Sequence, residues 1–196
     1  MQDNGSPSKL GVRKITDFVS EDKSKVSPGR YRGKLRLFLI VAALVVTLDQ
    51  LSKLWITAHL KLGESLPITD RLSLTHIGNT GSVFGLLANQ AFLLIIIGVA
   101  SLLIILLFLR YLSPATTLSM VSIGLILGGA VGNLIDRLRF SYVTDFIDFR
   151  LWGSFHWPTF NIADTAIAVG VFTLIYYFYK SGVFRKSYER NHGPQN

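Results

Sequence analysis

Residues 117–137 read TLSMVSIGLILGGAVGNLIDR, and no charged residue lies between Arg110 and Asp136. An α-helix needs about 20 apolar residues to cross a hydrocarbon core about 30 Å thick, and this run has that length. The run therefore predicts a membrane-spanning helix over residues 117–135. Glycines at four-residue spacing form a stripe that Asp136 continues, and such a stripe lets another helix approach closely and brings Asp136 towards it. These glycines are Gly124, Gly128 and Gly132.

Three further apolar runs of similar length occupy residues 35–56, 91–109 and 160–179. The chain of 196 residues is 49% apolar and only 16% charged, with a mean hydropathy of +0.41, which excludes an ordinary water-soluble domain. We predict an all-α membrane protein in which residues 35–180 form four transmembrane helices and residues 181–196 form a cytoplasmic tail.

Lysine and arginine are unevenly placed. Outside the spans, fourteen lie on the side of the termini, nine of them in residues 1–36, against five in the two longer loops, 57–90 and 136–159. By the positive-inside rule both termini are cytoplasmic and both loops face outside. Residues 1–34 hold too few apolar side chains to fold alone, so we predict a disordered basic leader that contacts membrane lipid and not nucleic acid. A cleaved signal peptide is the competing interpretation, but no A-x-A site follows the apolar run before Asp49.

The residue types present restrict the chemistry. With no cysteine, it has to come from carboxylates, hydroxyls, amides, histidine or lysine. The four histidines show no metal-ligand spacing, and we expect no metal or other cofactor. Ser82 follows Gly81, but the G-x-S-x-G pattern of serine hydrolases is absent, which leaves that class a weak alternative.

Polar residues in or beside the apolar runs converge on the outer side of this topology. A charged residue costs about 2.5–3.5 kcal/mol in hydrocarbon on insertion scales, so such a cluster is a candidate functional site. Its members are Asp49, Asp136, Asn161 and Asp164 at span ends, with Asp145 and Asp148 in the second outer loop.

Two of these residues have structural interpretations as ion pairs. Asp49 and Lys53 are four residues apart on one helix and would neutralise each other. Asp136 and Arg137 would form an ion pair at a helix end.

The start of the last span has structural interpretations as well. Thr159, Asn161 and Asp164 are candidate capping residues of this helix, and Asp164 fits capping least well because it lies several residues inside the apolar run. The aromatic residues ahead of the span are typical of a membrane interface. They are Trp152, Phe155, Trp157 and Phe160.

Pairs of carboxylates suggest one reaction class. Two carboxylates held close at low dielectric share one proton, so one acts as base and the other as acid. Aspartic proteases activate water in this way against a peptide carbonyl. The residues alone leave open which pair would do so, and they equally allow a polar transport site.

Five segments resemble, in order, the motifs of bacterial lipoprotein signal peptidase (signal peptidase II). The resemblance covers residues 36–180. The segments are TLDQLSK at 47–53, NTGSVFG at 79–85, GGAVGNLIDR at 128–137, VTDFIDF at 143–149 and FNIAD at 160–164.

The resemblance implies a role for each matched polar residue. Asp145 and Asp164 would form the catalytic dyad, and Asp136 would support it. Asn133, Arg137 and Asn161 would contact the substrate backbone or orient the dyad. The pocket would be shaped by Asp49, Lys53, Asn79, Gly129 and Ala163.

The resemblance also implies the reaction and its setting. The enzyme would hydrolyse the signal peptide of diacylglyceryl-modified prolipoproteins just before the lipid-modified cysteine, as a monomer in the bacterial inner membrane with its site at the outer face. The first outer loop, which reads as short strands, would form a small β-cradle. A proton or cation transporter and a non-catalytic lipoprotein chaperone are the alternatives.

Overall fold

The computed structural model describes residues 28–81 and 116–181, with isolated helical positions between 92 and 103. Most of the second predicted span at 91–109 lies outside the described residues, as do 1–27 and 182–196. The elements are, in chain order, α1 (Pro28–His59), β1 (Ser65–Pro67), β2 (Leu72–Asn79), α2 (Thr117–Phe140), β3 (Val143–Trp152), β4 (Phe155–His156) and α3 (Ile162–Ser181).

Helices α1, α2 and α3 are long and apolar enough to cross a membrane. They correspond to the first, third and fourth predicted spans. Helix α1 begins at Pro28, so residues 28–34 are helical and not part of a disordered leader as predicted. Proline suits the first helical position because its missing N–H would have no partner there. The helix thus extends beyond the apolar run that predicted it.

Helix α2 is bounded by two caps. At its start, the Thr116 hydroxyl accepts a hydrogen bond from Ser119 N. At its end, Ser141 adopts the left-handed conformation (φ 64°), and its N–H donates to Arg137 O at 3.0 Å. The αL residue stops the helix and turns the chain into β3.

Glycine residues allow α2 to pack closely against both neighbouring helices. A Cβ atom at Gly128 would lie 2.7 Å from Ala42 O of α1, and one at Gly132 would lie 2.5 Å from the Asp49 carboxylate. A Cβ at Gly129 would collide with Ala163 O of α3. The predicted packing function of the glycine stripe is confirmed, since Gly124 also faces α1.

The four strands form one antiparallel sheet in the order β1-β2-β3-β4. We predicted strands only in the first loop, but β3 and β4 come from the second. Two aspartates in VTDFIDF concealed β3, because Asp is depleted in strands. The pairing of β2 with β3 shifts by one residue between Leu74 and Ile77, and this β-bulge lies opposite Phe146, next to Asp145.

The sheet packs on the end of α1. Phe146 of β3 is buried with Ile56 of α1 and with Leu60, the residue that follows α1. Phe160 bridges to Ile147, donating to its carbonyl at 3.2 Å and accepting from its N–H at 2.8 Å. This bridge fixes the segment just before α3 against β3.

Candidate active site

Asp145 lies on β3 with 1% of its surface exposed. Asn79, at the end of β2, donates from Nδ2 to its Oδ2 at 2.8 Å, and Asn161 donates from Nδ2 to its Oδ1 at 2.7 Å. Burial raises the pKa of the Asp145 carboxyl to about 7, and the charge of Asp164 acts in the same direction. The two amide hydrogen bonds and the charge of Lys53 lower this pKa. Near neutral pH this carboxyl can therefore hold or release a proton.

Asp164 lies in the first turn of α3 and is half-buried. Its Oδ1 accepts from Asn133 Nδ2 at 2.8 Å, and its Oδ2 accepts from Asn161 N at 3.3 Å. Asp164 N in turn donates to Asn161 Oδ1 at 2.9 Å. These reciprocal bonds form a capping box. Asp164 fits capping better than its place in the apolar run suggested, because α3 begins at Ile162 and not at residue 160.

Asn161 joins the two carboxylates. Its side chain is fully buried and binds Asp145 through Nδ2 and the Asp164 backbone through Oδ1. The same Nδ2 lies 3.1 Å from Asn133 Oδ1. The structure thus brings together one carboxylate from β3 and one from α3.

Lys53 is the cation at the centre of the buried network next to these two carboxylates. Its Nζ lies 2.8 Å from Asp49 Oδ2 and 3.1 Å from Asp136 Oδ2, and it donates to Asn133 Oδ1 at 3.0 Å. An ammonium group has three N–H donors, so all three are used. Because Asn133 Oδ1 accepts from Lys53, its Nδ2 is directed towards Asp164. The predicted pair of Asp49 with Lys53 is confirmed.

Asp49 and Asp136 also hold backbone groups in place. Asp49 Oδ1 accepts from Ala163 N at 3.0 Å, at the start of α3. Asp136 Oδ2 accepts from Thr144 N at 2.9 Å, at the start of β3. The position of Asp136 suggested an ion pair with Arg137 at the end of the helix. Asp136 instead pairs with Lys53, which reaches it from α1.

Two residues of the network were missed from sequence. Gln50 Nε2 donates to Asp136 Oδ1 at 3.0 Å and to Gly132 O at 3.2 Å. Its place beside Asp49 in a quoted motif was the available signal. Thr144 contributes its backbone N–H, and a backbone contact cannot be predicted from residue types.

Other predicted residues lie at the edge of the site or away from it. Arg137 has a buried Nε without a hydrogen-bond partner among the described residues. Asp148 bonds elsewhere, since its oxygens contact Thr75 at 3.2 Å and His156 at 2.6 Å. Within the described ranges, no group of three or more His, Asp or Glu could hold a metal ion.

Comparison with known proteins places the chain in a family. The family model described as signal peptidase (SPase) II matches residues 41–180, more than half of the chain. The lipoprotein signal peptidase of Moorella thermoacetica is 48% identical over 138 residues, covering 70% of this chain and 89% of its own. That of Syntrophotalea carbinolica is 41% identical over 154 residues, covering 76% and 95%.

Two solved structures are similar in fold. Both are described as bacterial membrane enzymes determined by the in meso method, at 2.3 Å and 1.9 Å resolution. The first has a TM-score of 0.65 and 29% identity, covering 81% of this chain and 92% of its own. The second has a TM-score of 0.64 and 32% identity, covering 72% and 91%.

Proposed function

The chain belongs to the signal peptidase II family, and from this membership we propose that it is a membrane aspartyl endopeptidase. Its substrates are diacylglyceryl-modified prolipoproteins, and it cuts just before the lipid-modified cysteine. Family membership supports a protease that acts on prolipoprotein signal peptides. The observation that carries the aspartyl mechanism is the binding of both Asp145 and Asp164 by the buried Asn161.

In the proposed reaction Asp164 is the base and Asp145 is the acid. The helix N-terminus at Asp164 favours negative charge there, whereas Asp145 retains a proton up to a pKa of about 7. Asp164 takes a proton from water as the water oxygen attacks the scissile carbonyl carbon, and Asp145 protonates the carbonyl oxygen. When the tetrahedral intermediate collapses, the C–N bond breaks, the nitrogen takes the proton from Asp164, and the carbonyl oxygen returns its proton to Asp145.

The surrounding residues divide into substrate-contacting and positioning groups. The unpartnered Arg137 Nε can donate to a peptide carbonyl of the substrate. Asn133 and Asn161 orient the dyad. The pocket is held by Asp49, Lys53, Asn79, Gly129, Asp136 and Ala163.

The proposed location is the bacterial inner membrane, with both termini in the cytoplasm. A lipid-bearing substrate is already in the membrane, so a dyad at the outer face meets both the cleavage site and the water that the reaction consumes. The lipid chains lie between the helices and the bilayer. We propose that the enzyme works as a monomer without a cofactor.

The decisive experiment is cleavage of a diacylglyceryl-modified lipobox peptide by the purified protein in detergent. Wild type is compared with Asp145→Asn and Asp164→Asn, and Asp148→Asn is the matched control because it lies on the same strand outside the dyad. We expect cleavage by wild type and the control and none by the other two variants, with folding checked by thermal unfolding. Cleavage by both dyad variants would exclude this pair, and an inactive wild type on lipidated substrate would contradict the proposed activity.

A further inference from the structure

Outside the site, the β3–β4 hairpin presents exposed aromatic rings. We call residues 152–157 the hairpin tip. Trp152 is 69% exposed and stacks on Phe155, with ring centroids 5.0 Å apart. Trp157 is also exposed, and its backbone N–H donates to Phe149 O at 2.8 Å. This bond holds residue 157 beside β3. A contiguous apolar surface of this kind marks an interaction site, whereas single exposed apolar residues are ordinary.

Two arginines lie beside these rings. Arg150 N donates to Arg71 O at 2.8 Å, and the Arg150 guanidinium donates to Asp70 O, so β3 is joined to the β1–β2 turn. A cavity of about 360 Å³ lies here. Its lining consists of Asp70, Arg71, Arg150, Leu151, Trp152 and Gly153. With two guanidinium groups against one carboxylate, the cavity favours an anionic ligand.

We propose that the hairpin tip docks on the membrane surface and that the adjacent cavity binds the phosphate of an anionic phospholipid through Arg71 and Arg150. Tryptophan prefers the headgroup level of a bilayer, and guanidinium groups bind phosphate with paired N–H donors. The chain passes from Trp157 to Ile162, the start of an apolar helix, within a few residues. The hairpin tip therefore lies close enough along the chain to this helix to reach the surface of the bilayer that the helix would cross.

The position along β3 favours lipid over substrate as the occupant. Asp145 and Trp152 are seven residues apart on one strand, which at about 3.3 Å per residue places the tip roughly 23 Å from the dyad. Docking at one end of β3 would fix the orientation of the strand relative to the membrane. The proposal uses no property of the peptidase reaction and stands independently of it.

Single-tryptophan fluorescence tests this docking. The chain has three tryptophans, so Trp55→Phe with Trp157→Phe leaves Trp152 as the only reporter. The protein is placed in nanodiscs of phosphatidylcholine containing a minor share of phosphatidylglycerol, with either lipid brominated near the top of its acyl chain. We expect Trp152 to be quenched, with a roughly 25-fold preference for brominated phosphatidylglycerol, about fivefold from each arginine.

Arginine variants test the phosphate site. Arg71→Gln and Arg150→Gln should each reduce the phosphatidylglycerol preference by about fivefold. Lys61→Gln, which removes an exposed cation outside the cavity lining, is the matched control and should leave the preference unchanged.

Three results would overturn the proposal. Water-like, unquenched Trp152 emission would place the tip in solvent, and equal quenching by both lipids would exclude the phosphate site. A response of Trp152 to lipidated substrate peptide but not to brominated lipid would assign the surface to substrate. If the double tryptophan variant does not fold, an environment-sensitive dye on Ser154→Cys in the otherwise unchanged, cysteine-free chain gives the same readings.

Discussion

At the scale of single residues, amide groups set the properties of the dyad. Asp145 is buried, and within the described part of the chain its carboxylate accepts hydrogen bonds from the amides of Asn79 and Asn161, which are neutral. Asp164 accepts hydrogen bonds from the side-chain amide of Asn133 and from the backbone N–H of Asn161, just before a helix start. The two carboxyls thus differ in surroundings, which is the condition for separate acid and base functions.

The raised pKa of Asp145 predicts the alkaline limit of activity. Burial raises this pKa to about 7, so the acid form declines as the pH rises through that value. We expect kcat/KM to fall above about pH 7 as Asp145 loses its proton. The measurement is kcat/KM for a lipidated peptide across the pH range. A profile flat into the alkaline range would show that no group near pKa 7 acts as the acid.

Asn79 should affect the pH at which activity falls on the alkaline side. Its hydrogen bond lowers the pKa of Asp145, so Asn79→Ala should raise that pKa and move the alkaline limb upward by about half to one pH unit. Ser65→Ala is the control, because Ser65 bonds to Thr75 in the same sheet and not to Asp145. A variant that only weakened the fold would lower activity without moving the limb.

At the scale of elements, the site depends on close contact between helices. Asp49 of α1 holds the start of α3, and Lys53 of α1 holds Asn133 and Asp136 of α2. These contacts require α1 and α2 to approach at the glycine stripe. Small changes in helix spacing should therefore reach the dyad.

Gly128→Ala tests the helix contact. Its Cβ would lie 2.7 Å from the backbone oxygen of Ala42, which cannot move without shifting α1. We expect a loss of about 1–3 kcal/mol, seen as a lower Tm in detergent. Gly33→Ala is the matched control on α1, where nothing lies within 4 Å of the added atom, and it should leave Tm unchanged or raise it.

Lys53→Met tests the buried charges. It leaves Asp49 and Asp136 without their cation, so we expect a loss of about 3–5 kcal/mol in the free energy of unfolding. Adding Asp136→Asn removes one uncompensated carboxylate and should recover part of this loss. A double variant no more stable than the single one would mean that repulsion between these carboxylates is not the cause.

At the scale of the whole molecule, α1 and α2 lead into the sheet and α3 leaves it. The sheet packs on Ile56 and Leu60 at the end of α1, and β3 follows α2 directly. The candidate site lies at this junction, so its side of the membrane is the side of the sheet. We propose that this is the outer side.

The absence of native cysteine makes this orientation testable. Lys61→Cys places a thiol in the exposed segment between α1 and β1, and Asn196→Cys places one at the C-terminus. In intact spheroplasts an impermeant maleimide should label only the first, whereas permeabilised cells should show both labelled. The reverse pattern would contradict the proposed topology.

The sequence by itself determined the membrane class, three of the predicted helices and the identity of the family. Hydrocarbon imposes length and composition on a spanning helix, so uncharged runs such as 117–135 reveal it without tertiary information. The motifs also predicted Asp145 and Asp164 as site residues, because the proposed aspartyl mechanism requires two carboxylates.

Only the tertiary structure decided how these residues meet. The start of α3 depends on bonds from Asp49 and Asn161, and β3 depends on pairing with β2, which overrides the low strand propensity of its aspartates. Asp136 pairs with Lys53 of α1 and not with the neighbouring Arg137, because α1 packs against α2 at the glycine stripe. Contacts between residues far apart in the chain carry no local pattern, so the sequence named the site's members while packing set their geometry.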